Sequence, residues 1–247
     1  METTDFIEVL RREGPLLADA AHGAGLDARV PPCPGWKVRD LLVHTGAVHR
    51  WAADYVLGCG TEPTEWDETA PVDTKLVDWY REVHGRLADA LGTAPADTAC
   101  WYFLPAPSPL EGWARRQAHE TTVHRIDAEA ALGVGHSAVD ASFAADGVDE
   151  LLTGFHARAR SKVRTAQPRT MLVRSLDTGH DWLVRLSAEP PVTERSPAGA
   201  GAGADCTVSG EAGDLYLALW NRGPYETLSV EGDRSLLELW QRTGAIT

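Results

Sequence analysis

The sequence lacks any apolar run of about 18 residues, the length that a membrane-spanning helix needs. Its first residues, METTDFIEVLRREGPLL, place acids among the apolar positions and lack the basic start and continuous apolar core of a signal peptide. Cys33, Cys59, Cys100 and Cys206 form no CxxC pair, so neither a zinc ribbon nor a disulfide framework is indicated. We therefore expect a cytoplasmic protein with reduced thiols.

Basic residues are also scarce. The 247-residue chain has 23 Lys and Arg against 36 Asp and Glu, which gives a formal net charge of -13. Such a surface repels phosphate backbones and anionic lipids, so we expect neither nucleic acid nor a membrane as a partner. Hydrophobic residues make up 43% of the chain, enough for one large domain or two small ones with their own cores.

The first half of the chain has the apolar period of helices. Residues recurring every three to four positions predict helices at about 5–21, 36–57, 74–91 and 112–132. The Gly14-Pro15 pair is placed to kink or split the first helix, and prolines up to Pro109 exclude helix before the fourth. Four helices of this length, joined by turns and one long loop, predict a four-helix bundle.

The second half mixes strands with helices. We expect a helix at 141–162, a hairpin at 170–176 and 182–186, a strand at 206–209, a helix at 211–220, a strand at 228–230 and a helix at 234–242. The run SPAGAGAGA from Ser196 to Ala204 predicts a flexible loop. The sequence thus predicts an α+β protein, with the bundle over residues 1–150 and a smaller α+β domain over residues 151–247.

Three polar residues lie on helix faces that should be apolar. His44 falls within the inward stripe of the second helix, and Glu120 and His124 lie one turn apart within that of the fourth. A buried carboxylate costs several kcal/mol unless it is paired with a cation or a metal. Two imidazoles and one carboxylate suit zinc or another first-row divalent metal, and three protein ligands leave one coordination position open, as in catalytic zinc sites.

Other interpretations of this pattern stay open at this point. A single inward His is more often a satisfied core residue, and Glu-x-x-x-His occurs by chance in many helices. His49 and His119 are competing candidates, since each lies five residues from a member of the proposed set. Both are weaker, because a step of five points more than a quarter-turn off the stripe.

Three segments resemble the mycothiol-dependent maleylpyruvate isomerase family. They are PGWKVRDLLVH at 34–44, RRQAHETTVHRIDAE at 115–129 and VSGEAGDLYLALWNR at 208–222. They occur in the family's order and extend over nearly the whole chain. The resemblance implies a DinB-like metal-binding four-helix bundle, followed by a small C-terminal domain similar to sterol-carrier folds.

The resemblance also implies roles for particular residues. The family's metal ligands fall on His44, Glu120 and His124, and the C-terminal arginine that contributes to its activity and cofactor binding falls on Arg222. An alternative is that Arg222 only closes a helix, where the helix dipole favours a cation. Asn221 departs from the glycine that we expect at that position.

What the resemblance implies for function is a zinc enzyme dependent on mycothiol. Zinc holds a coordinating thiol as thiolate near neutral pH. The thiolate would add to the cis double bond of maleylpyruvate and leave after rotation, which gives fumarylpyruvate. The alternative is S-transfer to another small electrophile, in detoxification or secondary metabolism.

Two further alternatives are a non-catalytic ligand-binding protein and a zinc hydrolase that uses Glu129 or Asp127 as general base. Isomerisation of a dicarboxylate predicts basic groups near the metal. Arg222 is the first candidate for these, and the weaker ones are Arg81, Arg86 and Arg116. Asp127 or Asp40 is a candidate to orient a ligand imidazole.

Overall fold

The computed structural model describes residues 1–196 and 203–246, and the chain divides into two compact units, Met1–Ser137 and Ala138–Thr247. The sequence assigned residues up to 150 to the first domain. The helix α5, Ala141–Asp149, instead belongs to the second unit. It packs there because the Phe143 ring lies 6.3 Å from that of Tyr216 and the carbonyl of Gly147 accepts a hydrogen bond from Trp220.

Four long helices form the first unit. They are α1 (Thr3–Ala24), α2 (Val38–Gly58), α3 (Leu76–Thr93) and α4 (Pro109–Leu132). Helix α1 packs mainly on α4, and α2 packs mainly on α3. Leu10, Leu41, Tyr80 and Trp113 are among the fully buried side chains between them. The predicted four-helix bundle is confirmed.

Two proline positions differ from the expectation. Helix α4 begins at Pro109 rather than near residue 112, because a proline at the first position has no N–H to satisfy. The Ser108 hydroxyl accepts from the backbone N–H of Glu111, 3.2 Å, and so caps the helix. Helix α1 is not split, since it continues through Pro15. Gly14 instead allows close packing, because a Cβ there would lie 2.2 Å from the His84 ring.

A packed aromatic cluster accounts for several of the nine tryptophans. Trp113 is fully buried on α4, with its ring 5.0 Å from Trp51 and 5.5 Å from Tyr55 of α2. Trp101 and Phe103, from the segment before α4, pack on Trp51 at 5.8 and 6.1 Å. Such ring pairs add about 0.5–1.5 kcal/mol each beyond the area that they bury. The cluster thus fixes this part of α2 against α4.

The second unit is built on a five-stranded mixed sheet. Its strands are β1 (Arg169–Ser175), β2 (Asp181–Leu186), β3 (Val192–Ser196), β4 (Cys206–Gly210) and β5 (Ser229–Gly232). The order is β3-β2-β1-β4-β5, with β1 and β4 parallel and the other pairs antiparallel. Helices α6 (Ala212–Leu219) and α7 (Ser235–Thr243) follow β4 and β5 in the chain. The α+β class is therefore confirmed.

Two elements of the second unit were not predicted correctly. Strand β3 was missed, because Thr-Glu-Arg-Ser after a Pro-Pro pair lacks an apolar alternation. Helix α5 ends at Asp149 and gives way to a π-helical turn, Glu150–Phe155, instead of running to residue 162. The Thr153 hydroxyl donates to the Asp149 carbonyl, 2.7 Å, which competes with the regular backbone bond.

Most of the loop that we predicted at Ser196–Ala204 lies outside the described residues. Among the residues that the structure describes, no helix combines the length and the apolarity that crossing a membrane requires.

Candidate metal centre

His44 from α2 and Glu120 and His124 from α4 converge on one point of the bundle. One carboxylate oxygen, Glu120 Oε1, lies 3.1 Å from His124 Nε2 and 3.4 Å from His44 Nε2. One ligand atom from each of the three residues lies within 4.8 Å of the other two. The side chains are 22%, 19% and 9% exposed for His44, Glu120 and His124, so the site is largely buried yet reachable from solvent.

Helix geometry produces this convergence. Glu120 and His124 are four residues apart on α4, so their side chains project from adjacent turns of the same face. His44 lies near the start of α2, whose first turn is capped by the Asp40 carboxylate, which accepts from the backbone N–H of Lys37 at 2.9 Å. Asp40 therefore caps a helix and does not orient a ligand imidazole.

Asp127 orients the imidazole of His124. Its Oδ2 lies 2.9 Å from His124 Nδ1, and its side chain is fully buried. Because a carboxylate accepts hydrogen bonds, this contact places the proton on Nδ1 and turns Nε2 towards Glu120. The Cys33 thiol also donates to Asp127 Oδ2, 3.4 Å.

The electrostatics of the site favour a charged carboxylate. Burial by itself would raise the pKa of Glu120, but the charges and hydrogen bonds of His124, His44 and Arg116 hold it well below its ordinary value. Arg116 Nη2 donates to Glu120 Oε2, 3.2 Å, and the Arg116 side chain is only 2% exposed. Burial would lower the pKa of His124, yet Glu120 and Asp127 together raise this pKa to about 9.

Three further side chains surround the triad of His44, Glu120 and His124. The Trp36 ring lies 5.0 Å from His44 and 6.1 Å from His124, and the Trp66 ring lies 6.2 Å from His44 on another side. Glu68 Oε1 is 3.7 Å from His44 Nδ1. Sequence reasoning missed all three as site residues. Trp36 is visible within the second-helix motif, whereas Trp66 and Glu68 come from a connecting segment with no helical period.

The donor set fits a divalent metal. At zinc–nitrogen and zinc–oxygen distances of roughly 2.0–2.2 Å, ligand atoms of a tetrahedral site lie about 3.4 Å apart. The contacts of Glu120 Oε1 with the two imidazole nitrogens, 3.1 and 3.4 Å, are close to this spacing. A nitrogen lone pair and a carboxylate oxygen are both acceptors, so they repel each other unless a proton or a cation lies between them. A metal would replace that proton.

The two competing histidines, His49 and His119, are not part of this cluster. His49 is fully buried, with Nε2 2.9 Å from the Thr121 hydroxyl and its ring 5.4 Å from that of His84. Burial, the largest cause, holds the pKa of His49 well below its ordinary value, so this imidazole is neutral. His119 is also fully buried, with its ring 6.2 Å from that of Phe6.

Other candidates from the sequence have structural partners. Glu129, a possible general base, accepts from Arg125 Nη1 at 2.6 Å and from the Ser137 hydroxyl at 2.6 Å. Arg81 pairs with Asp19 at 2.8 Å and Arg86 with Asp54 at 2.7 Å, both on exposed helix faces. Of the first unit's candidate cations, only Arg116 contacts the triad.

Arg222 lies in the second unit, just after α6. Its Nη1 donates to the Trp220 carbonyl, 2.9 Å, and its side chain is half-buried. Asn221 has a left-handed backbone, φ 58°, a conformation that suits the glycine expected there. The Asn221 side chain compensates by accepting from the Tyr225 hydroxyl.

Two family models match the sequence of this chain. Residues 8–129 match the family model described as the mycothiol maleylpyruvate isomerase N-terminal domain, and residues 142–239 match the model of that family's C-terminal domain. No curated protein matches the sequence.

Two solved structures share the fold. One is a mycothiol-dependent maleylpyruvate isomerase, with a TM-score of 0.61, and the other is its histidine-to-alanine mutant, with a TM-score of 0.62. Both are 11% identical to this chain, and each comparison covers 94% of this chain and 93% of the other. The fold is therefore retained at very low identity.

Proposed function

This chain belongs to the mycothiol maleylpyruvate isomerase family, and from that premise we propose that it is a zinc-dependent enzyme that activates mycothiol towards a small electrophile. The single observation that carries the proposal is the convergence of His44, Glu120 and His124 within the family's N-terminal domain. Three protein ligands leave a position that a thiol can take. Bound there, zinc would lower the pKa of the thiol and hold it as thiolate.

The residues around the triad have separate tasks in this proposal. Asp127 accepts the Nδ1 proton of His124 and thereby leaves Nε2 as the nitrogen that would bind the metal. Arg116 balances the charge of Glu120 and fixes the orientation of its carboxylate. Trp36 and Trp66 shield the centre from water, which strengthens the electrostatic interactions within it.

Two reactions are compatible with an activated thiol. In isomerisation, the sulfur would add to the cis double bond of maleylpyruvate, the new single bond would rotate, and the sulfur would leave to give the trans product. In S-transfer, the sulfur would stay on the electrophile. We propose a role for Arg222 in either case, with its cation meeting negative charge on the substrate or the thiol cofactor. Arg222→Ala should then reduce turnover but preserve metal content, and unchanged kinetics would make Arg222 structural.

Calorimetric titration of mycothiol into zinc-loaded and metal-free protein tests the proposal. We expect binding to the zinc-loaded protein only, because the thiol needs the metal as its partner. Equal binding to both forms, or none to either, would contradict it. Hydrolysis of ester substrates without added thiol would instead favour the zinc hydrolase.

A further inference from the structure

A groove beside the triad has room for a small molecule. Its volume is about 370 Å³, and it lies between α2 and the segment of residues 60–67. The rings of Trp51, Tyr55 and Trp66 form part of its lining. Trp66 connects the groove with the triad, since its ring lies 5.5 Å from Trp51 and 6.2 Å from His44.

The aromatic walls are held by their polar ends. Trp51 Nε1 donates to the Thr64 carbonyl, 3.0 Å, and the Tyr55 hydroxyl donates to the Glu62 carbonyl, 2.8 Å. These bonds fix the connecting segment on α2. The Tyr55 ring is only 4% exposed and packs on Trp113 and Trp101, so the indoles of the half-buried Trp51 and the exposed Trp66 are the accessible rings of the groove. Trp66 is 44% exposed, which is unusual for so large an apolar side chain. An exposed indole beside a proposed metal centre indicates a contact for a ligand.

The charged residues that line the groove are mostly acidic. They are Asp54, Glu65 and Asp67, against Arg50. Arg50 is already engaged, because it donates to the carbonyls of Asp67 and Thr69 and pairs with the Asp67 carboxylate at 3.4 Å. Asp54 is balanced by Arg86. Among the described residues, no ion pair with a Lys or Arg is found for Glu65.

Glu68 adds a second carboxylate between the groove and the triad. Its side chain is 59% exposed and lies 3.7 Å from His44 Nδ1. In the first unit, the cation that contacts the triad, Arg116, is buried and bonded to Glu120. A carboxylate on the substrate would therefore meet Glu65 and Glu68, while Arg50, the cation in the groove lining, is bonded to Asp67 and Thr69.

From this geometry we propose that the groove is the electrophile's site and selects an aromatic electrophile that carries no negative charge. The indole faces of Trp51 and Trp66 attract aromatic rings and repel anions, and the two carboxylates add to this preference. The inference rests on the proposed function. It favours S-transfer over isomerisation of a dicarboxylate such as maleylpyruvate.

The transfer step balances for a chloronitroarene. The thiolate sulfur forms a bond to the ring carbon, the carbon–chlorine bond breaks, and chloride leaves with its electron pair. The thiol proton passes to solvent. No oxidant or reductant is needed.

Binding to the metal-free protein tests the charge preference without catalysis. We would measure, by calorimetry, the affinities of methyl 3,5-dinitrobenzoate and of 3,5-dinitrobenzoate, which lack a leaving group. The ester should bind at least about tenfold more tightly than the acid. The double variant Glu65→Gln/Glu68→Gln should reduce this ratio below about threefold, and Trp66→Ala should weaken ester binding by about tenfold.

Glu82→Gln, an exposed position on α3, is the matched control and should change neither affinity. Equal affinities for ester and acid in the wild-type protein would overturn the inference. So would an ester-to-acid ratio that the Glu65/Glu68 variant leaves unchanged.

Turnover separates this inference from the proposed function. Zinc-loaded protein with mycothiol would be given methyl 4-chloro-3,5-dinitrobenzoate, the corresponding acid, and maleylpyruvate, with each rate corrected for the uncatalysed reaction. We expect kcat/KM for the ester to exceed that for both anions by at least about tenfold. Preference for either anion would overturn the inference and leave the proposed function standing. No turnover of any of the three would overturn both.

Discussion

Helix α4 carries two groups of buried ionisable side chains, and they differ in how their charges are satisfied. Arg125, 1% exposed, donates to Glu13 of α1 at 2.8 Å, to Glu129 at 2.6 Å and to the Ser137 carbonyl at 2.9 Å. Glu13 also accepts from Arg12 at 2.9 Å. Two cations thus face two carboxylates, and the donors and acceptors are used within the protein.

The triad, to which α4 contributes Glu120 and His124 and α2 contributes His44, is satisfied differently. Two imidazole nitrogens face one oxygen of Glu120, and the triad has a solvent-reachable side. Burial of a charged residue therefore does not by itself mark a functional site. A closed, charge-balanced network stabilises the fold, whereas lone pairs that converge on one reachable point form a place for a cation. Glu129 and Glu120, nine positions apart, illustrate the two cases.

The largest effect should come from breaking the closed network. Arg125→Met leaves the carboxylates of Glu13 and Glu129 buried without their shared cation, so we expect a loss of about 3–5 kcal/mol in unfolding free energy. Zinc content of the folded protein should not change. Arg81→Met, which removes an exposed ion pair with Asp19, is the control and should cost less than about 1 kcal/mol. Chemical denaturation measures both, and equal losses would refute the distinction.

Breaking the triad should have the opposite pattern. His124→Ala removes one of three donors and should weaken zinc binding by more than roughly 100-fold, beyond the usual effect of losing an outer partner. Denaturation of the metal-free variant should show no loss as large as that of Arg125→Met. His49→Ala, at a buried histidine outside the triad, is the comparison and should keep its metal. Metal retained by His124→Ala, or lost by His49→Ala, would show that the ligand set is wrong.

Asp127→Asn removes a charge that contacts His124 but is not one of the three proposed metal ligands. We expect zinc affinity to fall by about 10–100-fold, because the amide no longer fixes the imidazole proton of His124. Asp40→Asn, at the cap of α2, should leave zinc affinity unchanged. Competition with a chromophoric chelator measures both variants, and identical affinities would assign Asp127 a packing role only.

The smallest effect concerns His156, a buried histidine with no carboxylate beside it among the residues that the structure describes. Burial lowers the pKa of His156 to about 4, and its Nδ1 lies 3.0 Å from the Ser161 hydroxyl. Between about pH 4 and pH 6.5, His156 is therefore protonated in the unfolded chain and neutral in the folded chain. The contribution of His156 to the free energy of unfolding is fully present above about pH 6.5 and is lost as the pH falls towards 4. The loss amounts to about 2 kcal/mol at pH 5. His156→Gln should remove this component of the pH dependence in denaturation experiments, and an unchanged slope would exclude His156 as its source.

The sequence predicted the parts of the site that have a helical period. His44, Glu120 and His124 were recognisable because each interrupts an apolar stripe, and the structure brings them together. The groove was not predictable, since Trp66 and Glu68 lie in a segment whose position depends on contacts with α2. The same holds for Glu13, which lies 112 residues from its partner Arg125. The polar edge strand β3 also lacked a local signal. The start of α4 had one, a Ser108 cap followed by Pro109, which the exclusion of helix by proline overlooked.

X-ray absorption at the zinc edge, before and after adding mycothiol, shows whether the metal held by this triad binds the thiol. We expect nitrogen and oxygen neighbours alone in the resting protein. We also expect one new sulfur neighbour at about 2.3 Å when the thiol is present. A zinc environment that mycothiol leaves unchanged, in protein fully loaded with the metal, would contradict the claim that this triad presents a metal to a thiol.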